Sequence, residues 1–363
     1  MIQWREGRVT RVRAAWHGAV ELDVDVVAGP GSSRGSCRAL AYPALVGEPR
    51  VGELVLLNTT ALEAGLGTGG YAFVVALPAR IPVDPLVGPG HLVKARYTPL
   101  QTMVLGVDEQ GSPHHELLRE ADDLLGLPVV VADLHSSLPA VVAGVRSVRP
   151  DARVAYVMTD GGALPAWFSR TVAGLREAGW LVTCVTVGQA FGGDLEAVTV
   201  HAGLLAARLV AGADVAVVAQ GPGNLGTGTR WGFSGVSAGE AVNAAGVLHG
   251  RPVAALRVSA ADARERHRGV SHHSLTALGR VALAPADVVV PLLPGALGAR
   301  VREQAAELAG RHRILEEPVD GLAEALAATP VPLSTMGRGL ADDAPAFVAA
   351  AAAGRHAGRL VAS

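Results

Sequence analysis

The segment Arg264 to Ser274, RERHRGVSHHS, gathers three arginines, three histidines and two serines into eleven residues. Such residues suit metal ligation, anion binding or acid/base exchange, and they also occur in plain solvated turns. A helix is expected to start at Ser271, with that serine as N-cap, His272 and His273 in the first turn and LTALGRVALA continuing it. Free N–H groups and the positive end of the helix dipole would then face the same side as Arg266 and Arg268, which favours an anion. Adjacent residues on a helix point about 100° apart, so His272 and His273 are poor joint ligands, and the nearby arginines oppose a dication. No metal ligand is therefore expected in this segment. Neighbouring positive charge lowers an imidazole pKa, so a neutral ring acting as base or hydrogen-bond donor is expected. The competing reading makes both histidines solvated caps.

Positioning these groups requires a scaffold, and the pattern from about residue 100 onward supplies one. Short apolar runs at 102–107, 129–133, 153–159, 181–187, 214–219, 252–258, 287–292 and 312–316 read as strands buried on both faces. Segments 116–125, 166–178, 194–211 and 297–309 read as intervening helices. The expected fold is α/β with a mostly parallel, doubly wound sheet, a βα barrel being the alternative. Both place ligands at the carboxyl ends of the strands. The unusual polar residues fall there: Asp133 and His135 after one strand, Asp160 after the next, GPGNLGTGTRWGFSG from Gly221, and the RERHRGVSHHS segment.

Gly221 to Gly226 formally match G-x-G-x-x-G after a strand. The following helix starts only near Ser237, where Ser237 and Glu240 are spaced as a capping box, and Arg257 and Ser259 stand where a ribose-binding acid would be expected. A nicotinamide site is therefore disfavoured. Backbone N–H groups at Gly221, Gly223 and Gly226, with Asn224, Thr227 and Thr229, could instead cradle a phosphate or carboxylate. The alternative is a loop folded for its own turns. Asp133, His135 and Asp160 form a second candidate set, two carboxylates and one imidazole, that would suit a metal. His114 and His115 read as helix caps, and STMGRG, from Ser334, either folds back on the site or joins the last helix. Motifs for a nucleophile elbow, a P-loop and an HExxH zinc helix are absent.

Residues 1–85 differ in character. GRVTRV, AVELDVDVV, SCRALAY, ELVLLNTT and YAFVVAL are short strands separated by turn residues, and they predict a small β-barrel or sandwich closed by the GLGTGG turn. ARIPVDPLVGPGH reads as the linker to an α/β domain at 86–363. The 363 residues are 50% hydrophobic with a net charge of −2, so the chain should be globular without global attraction to nucleic acid or membranes. Two cysteines without CxxC spacing and no apolar leader suggest a cytoplasmic protein. Among 31 Lys and Arg residues only Lys94 is a lysine, which suggests either chance survival or a role for a compact ammonium in holding ligand.

LGTGG at 66–70, RYTPLQ at 96–101, GPGNLGTGT at 221–229, RHRGVSHHS at 266–274 and STMGRG at 334–339 together resemble an actinobacterial family, domain of unknown function 3866. The resemblance covers nearly the whole chain and implies a cytoplasmic bacterial protein, without a mechanism. The function expected from the residues is an enzyme for a small anionic, including phosphorylated, substrate. Arg266, Arg268, Ser271, Lys94 and the Gly-rich loop would hold it, with His272 or His273 as acid/base and Asp133 or Asp160 as orienting carboxylate. A non-catalytic metabolite-binding or regulatory protein and a metal-dependent hydrolase are the alternatives. No cofactor is specified, nucleic acid is not expected as a partner, and a homo-oligomer is compatible with the chain.

Overall fold

A computed structural model describes residues 1–29, 35–67, 69–84 and 88–361; Thr68 of the GLGTGG turn and residues 85–87 of the expected linker lie outside them. Contacts divide the chain into Met1–Pro89 with Ala95–Met103, and Gly90–Lys94 with Val104–Ser363.

In the first unit, strands β1 (Trp4–Trp16), β2 (Ala19–Ala28), β3 (Ser36–Ala41), β4 (Leu54–Asn58) and β5 (Ala72–Ala76) close into a barrel in the order β1-β2-β3-β5-β4. Only β3 and β5 pair in parallel. The period of two in AVELDVDVV turns Leu22 and Val24 inward against Val55, Leu57, Ala72 and Val74. Closure leaves no exposed sheet edge, so the barrel, not the sandwich, is the form adopted. Gly7 permits the tight crossing of β1 on β2, because a Cβ there would lie 2.3 Å from Val24 Cγ1. The strand order is that of OB-type barrels, which by itself specifies no ligand.

The second unit is built on eight parallel strands: β6 (Pro128–Val131), β7 (Val154–Thr159), β8 (Thr183–Thr186), β9 (Leu195–Glu196), β10 (Val215–Gln220), β11 (Arg251–Ala255), β12 (Asp287–Pro291) and β13 (Arg313–Glu317). They run β9-β8-β7-β10-β6-β11-β12-β13 across an open sheet, which excludes the βα barrel. The helices are α1 (Leu138–Arg146), α2 (Arg170–Glu177), α3 (Val200–Leu205), α4 (Ser237–Val247), α5 (His272–Thr276), α6 (Gly295–Ala306), α7 (Leu322–Ala327) and α8 (Ala344–Leu360). Side chains alternate between two buried layers. Val129, Val131 and Ala216 meet α3, α4 and α6 on one face, while Val130, Val217 and Tyr156 meet α1, α2, α7 and α8 on the other. Both layers are buried and apolar, which is why these strands read as unbroken apolar runs.

Helices α1 and α8 approach backbone to backbone. A Cβ on Gly144 would sit 1.9 Å from Ala351 O, and one on Gly354 would sit 1.9 Å from Val141 O.

Several expected elements differ. Residues 102–107 form only the short strand Thr102–Val104, outside the main sheet, and 116–125 contains only the turn His115–Leu118. The helix expected over 194–211 yields its start to β9, because Glu196 is anchored to the Gly192 N–H at 2.6 Å and the Thr186 hydroxyl at 2.7 Å. Ser237 donates to Ser234 O at 3.1 Å and lies inside α4, so the Ser237/Glu240 capping box does not form.

Lys94 is also corrected. It is 2% exposed, and its ammonium donates to Gly188 O, Ala190 O and Ala197 O at 2.7, 3.0 and 2.9 Å, with Glu196 Oε2 at 3.7 Å. An ammonium has three N–H donors, and three carbonyls take them, leaving nothing for a ligand. A planar guanidinium cannot reproduce that tripod, which accounts for the lone lysine in an arginine-rich chain. Burial pushes the Glu196 carboxyl up to about 7 and the Lys94 ammonium down.

Two outcomes follow for denaturant-unfolding measurements. Gly144→Ala should lose about 1–3 kcal/mol through overpacking at the α1–α8 crossing; an unchanged midpoint would refute that crossing. Lys94→Met should lose about 3–5 kcal/mol at pH 8, and Lys94→Arg should not restore it. The loss should shrink at pH 5, because Glu196 is protonated below its raised pKa and no buried carboxylate is then left uncompensated.

Candidate functional site

The centre forms where the sheet's connections change face. Strand β6 leads into α1 on one layer, while its neighbours β10 and β11 lead to α4 and α5 on the other. Such a switch point opens a crevice at the carboxyl ends of the strands. Asp133, just beyond β6, is 4% exposed and its Oδ2 has no hydrogen-bond partner among the described residues. Arg257 Nη1 lies 3.7 Å from that oxygen and His273 Nδ1 lies 3.8 Å from it. Burial raises the Asp133 pKa, and Arg257 opposes the rise. Gln220, ending β10, donates from Nε2 to Asp133 O at 2.7 Å. Thr159 Oγ1 and Gln220 Oε1 are also buried without partners, and both residues line a cavity of about 10 Å³ together with Asp133.

Arg257 binds both arms of the histidine segment. Its Nη1 donates to His273 Nδ1 at 3.2 Å, its N–H to Ser274 Oγ at 3.0 Å, and its carbonyl accepts from Ser271 N at 2.8 Å. Val258–Ser259 pairs antiparallel with Gly269–Val270, so the arginine-rich stretch is the tip of a hairpin. Asp262 fixes that tip, accepting from Arg264 N, Nε and Nη2 at 3.0, 2.9 and 2.9 Å. STMGRG folds back onto it: Arg338 reaches Asp343 at 3.1 Å and Asp262 at 3.4 Å, and Ser136 bonds Thr335 at 2.9 Å.

Of the two arginines expected to hold ligand, Arg268 donates to Asp262 O at 2.9 Å and is held by the loop itself. Arg266 is exposed, without an ion pair or hydrogen bond among the described residues, and a Cβ on Gly228 would lie 3.8 Å from its Nη2. The Gly-rich segment and the histidine segment therefore meet. They meet again where the Phe233 ring stacks on His273 at 3.8 Å and 4°, and a Cβ on Gly235 would lie 3.0 Å from Asp133 Cβ.

Ser271 is the N-cap, accepting from His273 N at 3.2 Å, and is also bonded to His267 Nδ1 at 2.7 Å. Fully buried, it offers nothing to a ligand. Helix α5 is only five residues before the π-helical turn Ala277–Val281, so it provides little dipole for the anion site expected at its start. His272 and His273 nonetheless come together, with ring centroids 4.4 Å apart, because His267 returns from the hairpin to within 4.9 Å of both. Ligand-capable atoms of all three lie within 4.8 Å of one another. His272 Nε2 is buried and unpartnered. Burial, then Arg257, pushes His267 and His273 down to about 3, and His272 is lowered by burial and then Arg266, so all three rings are neutral near pH 7.

Other expected residues are spent elsewhere. Thr227 N and Ser234 N close a hairpin onto Gly232 O and Leu225 O at 2.7 and 3.0 Å, through the Gly226–Phe233 bridge. Thr229 Oγ1 accepts from Gly232 N and lies 3.1 Å from Thr227 Oγ1, Asn224 Oδ1 accepts from Gln220 and Ser234, and Gly221 N donates to Thr159 O. Gly223, with φ +92 and open space around its Cα, is the open position in this loop. The set Asp133, His135 and Asp160 is not assembled. The ring nitrogens of His135 bond Tyr156 OH and Ser169 Oγ at 3.0 and 2.8 Å, and burial lowers its pKa to about 4. Asp160 caps the next turn, accepting from Gln189 N at 2.8 Å, and lines a groove of about 550 Å³ beside Thr199, His201 and Glu240, which shares Thr159, Ser237 and Ala241 with the Asp133 cavity.

Sequence reasoning missed His267, Arg257 and Phe233 as members of the centre. Arg257 stood beside a strand end, where the rim rule applies, and His267 stood inside the histidine segment itself; nothing local marks Phe233, which a hairpin return brings in.

No curated protein and no solved structure matches the chain. One family model does, over residues 38–354, from β3 into α8 and including the whole centre just described. The chain belongs to the family described as protein of unknown function (DUF3866).

Proposed function

We propose that the protein is an enzyme acting on a small anionic substrate, a phosphate ester or carboxylate, bound at the strand-end crevice of the α/β unit. The observation that carries this reading is the buried, hydrogen-bond-free Asp133 Oδ2 beside Arg257 and His273. An unsatisfied buried carboxylate costs several kcal/mol, a cost that folding alone does not favour and that functional centres commonly bear. Arg266, the unpaired cation beside Gly228, binds the anion, with the open backbone at Gly223 on the same loop. Arg257 orients Asp133 and His273, and Asp133 with His272 or His273 exchanges the proton at the reacting group. Lys94, His135, Ser271 and the two threonines take no part. No helix is long and apolar enough to cross a membrane. With Cys37 and Cys184 both unpaired, a reducing cytoplasm is the compartment we assign.

The test is a panel of phosphate monoesters and carboxylates, screened by thermal shift and then by NMR for turnover. Arg266→Ala should weaken binding of the responding compound by about 10–100-fold, the worth of a charged hydrogen bond. Asp133→Asn should keep binding and lower turnover by about 100-fold or more. Turnover unchanged in both variants would overturn the assignment. A compound that stabilises the wild type and is never consumed would establish a binding protein instead.

A further inference from the structure

The three histidines offer more than proton exchange. One acid/base step needs one imidazole, yet His267, His272 and His273 place nitrogen atoms within 4.8 Å of one another, on either side of the short strand Gly269–Val270. A neutral imidazole keeps one nitrogen lone pair free for a ligand, and three such rings bring three lone pairs into one place. His272 Nε2 is such a nitrogen, buried and unpartnered.

We propose that His267, His272 and His273 hold one divalent transition-metal ion of the zinc class, with a fourth position open toward Arg266 and Arg257. This deepens the reading above and rests on its placement of the site. Tetrahedral zinc with bonds of about 2.0–2.1 Å needs nitrogens about 3.4 Å apart, so the ligand atoms would draw together from separations of up to 4.8 Å on binding, with His272 as the ring that moves. Ser271 Oγ, on His267 Nδ1 at 2.7 Å, fixes that ring and leaves Nε2 for the ion, the outer-sphere support that metal-bound imidazoles require. Phe233, stacked on His273, fixes the second ring. Three imidazoles select zinc, cobalt, iron, nickel or copper over magnesium and calcium, which prefer oxygen.

Nearby arginines are the argument against a cation, and the ion pairs answer it. Arg264 is held by Asp262 at 2.9 Å and Arg300 by Glu265 at 2.6 Å, while Asp133 stands 3.7 Å from Arg257 and supplies a negative charge to the centre. Arg257 Nη1 now occupies His273 Nδ1 at 3.2 Å; where that nitrogen ligates the ion, the guanidinium turns to Asp133 Oδ2. A metal flanked by Arg257 and Arg266 attracts an oxyanion more strongly than either arginine alone, which is consistent with cationic groups beside the cation site.

The probes are Zn²⁺ and Co²⁺, added separately to chelator-treated full-length protein. Calorimetry should show one Zn²⁺ per chain, and Co²⁺ should give the strong visible absorption of tetrahedral coordination. His272→Ala and His267→Ala should each weaken binding by more than about 100-fold, whereas exposed His17→Ala should not. Because buried His267 bonds Ser271, the less buried His272 is the decisive variant should His267→Ala fail to fold. No stoichiometric binding, or binding that survives His272→Ala, overturns the metal. If anionic compounds still bind through Arg266 without metal, the enzyme reading stands and only the metal falls; if Zn²⁺ binds and no anion does, the reverse holds.

Discussion

A buried carboxylate without a hydrogen bond on one oxygen organises this molecule. Asp133 Oδ2 lies 3.7 Å from the Arg257 guanidinium, which supplies the opposing charge, and 3.8 Å from the neutral His273 ring. Those two groups follow β11, and Asp133 follows β6, which is β11's neighbour in the sheet. The contact exists because adjacent parallel strands end at the same level. Their connections leave toward opposite layers, and Gly235, Phe233 and His273 pack into the space between them, leaving a cavity of about 10 Å³ beside Asp133. Gln220, at the end of β10 on the other side of β6, holds the Asp133 backbone through its amide. Three strand ends thus converge on one residue.

Around that point the polar chain is mostly engaged in holding itself still. Asp262 and Asp343 collect Arg264, Arg338 and Ser259, so two arginine side chains of the long loops serve as anchors. The Gly-rich hairpin uses its own threonines for closure and contributes Phe233 as a flat cover on His273. Arg266 stands outside this network. Arg266, the unpartnered Asp133 oxygen and three neutral rings are not engaged in this way, and rigid surroundings of this kind are what positioned chemistry requires.

Much of the scaffold is legible in the sequence because burial on both faces leaves a clear signature. Val129 and Val131 face one layer and Val130 the other, so β6 reads as a continuous apolar run; Leu22 and Val24 alternate with Asp23, so a barrel strand reads as period two. β9 is not legible, because two residues are held extended by the Glu196 carboxylate and not by any pattern of their own. Strand-end reasoning brings the Gly-rich and histidine segments to one rim, and they do meet at Phe233 and Arg266. It does not show how each side chain is used there. The adjacency of His272 and His273 suggests divergence on a helix, and only the hairpin return of His267 makes a three-ring cluster. Lys94 invites a ligand role by composition, yet three backbone carbonyls from distant turns take its charge. Contacts of that kind depend on tertiary closure and carry no local periodicity.

The most direct measurement is anomalous diffraction at the zinc edge from crystals of the full chain grown with zinc and inorganic phosphate. The account predicts one strong peak bounded by His267, His272 and His273, with phosphate density between it and the Arg266 guanidinium. Metal and phosphate found instead in the groove beside Asp160, with the histidine rings as they stand now, would contradict it.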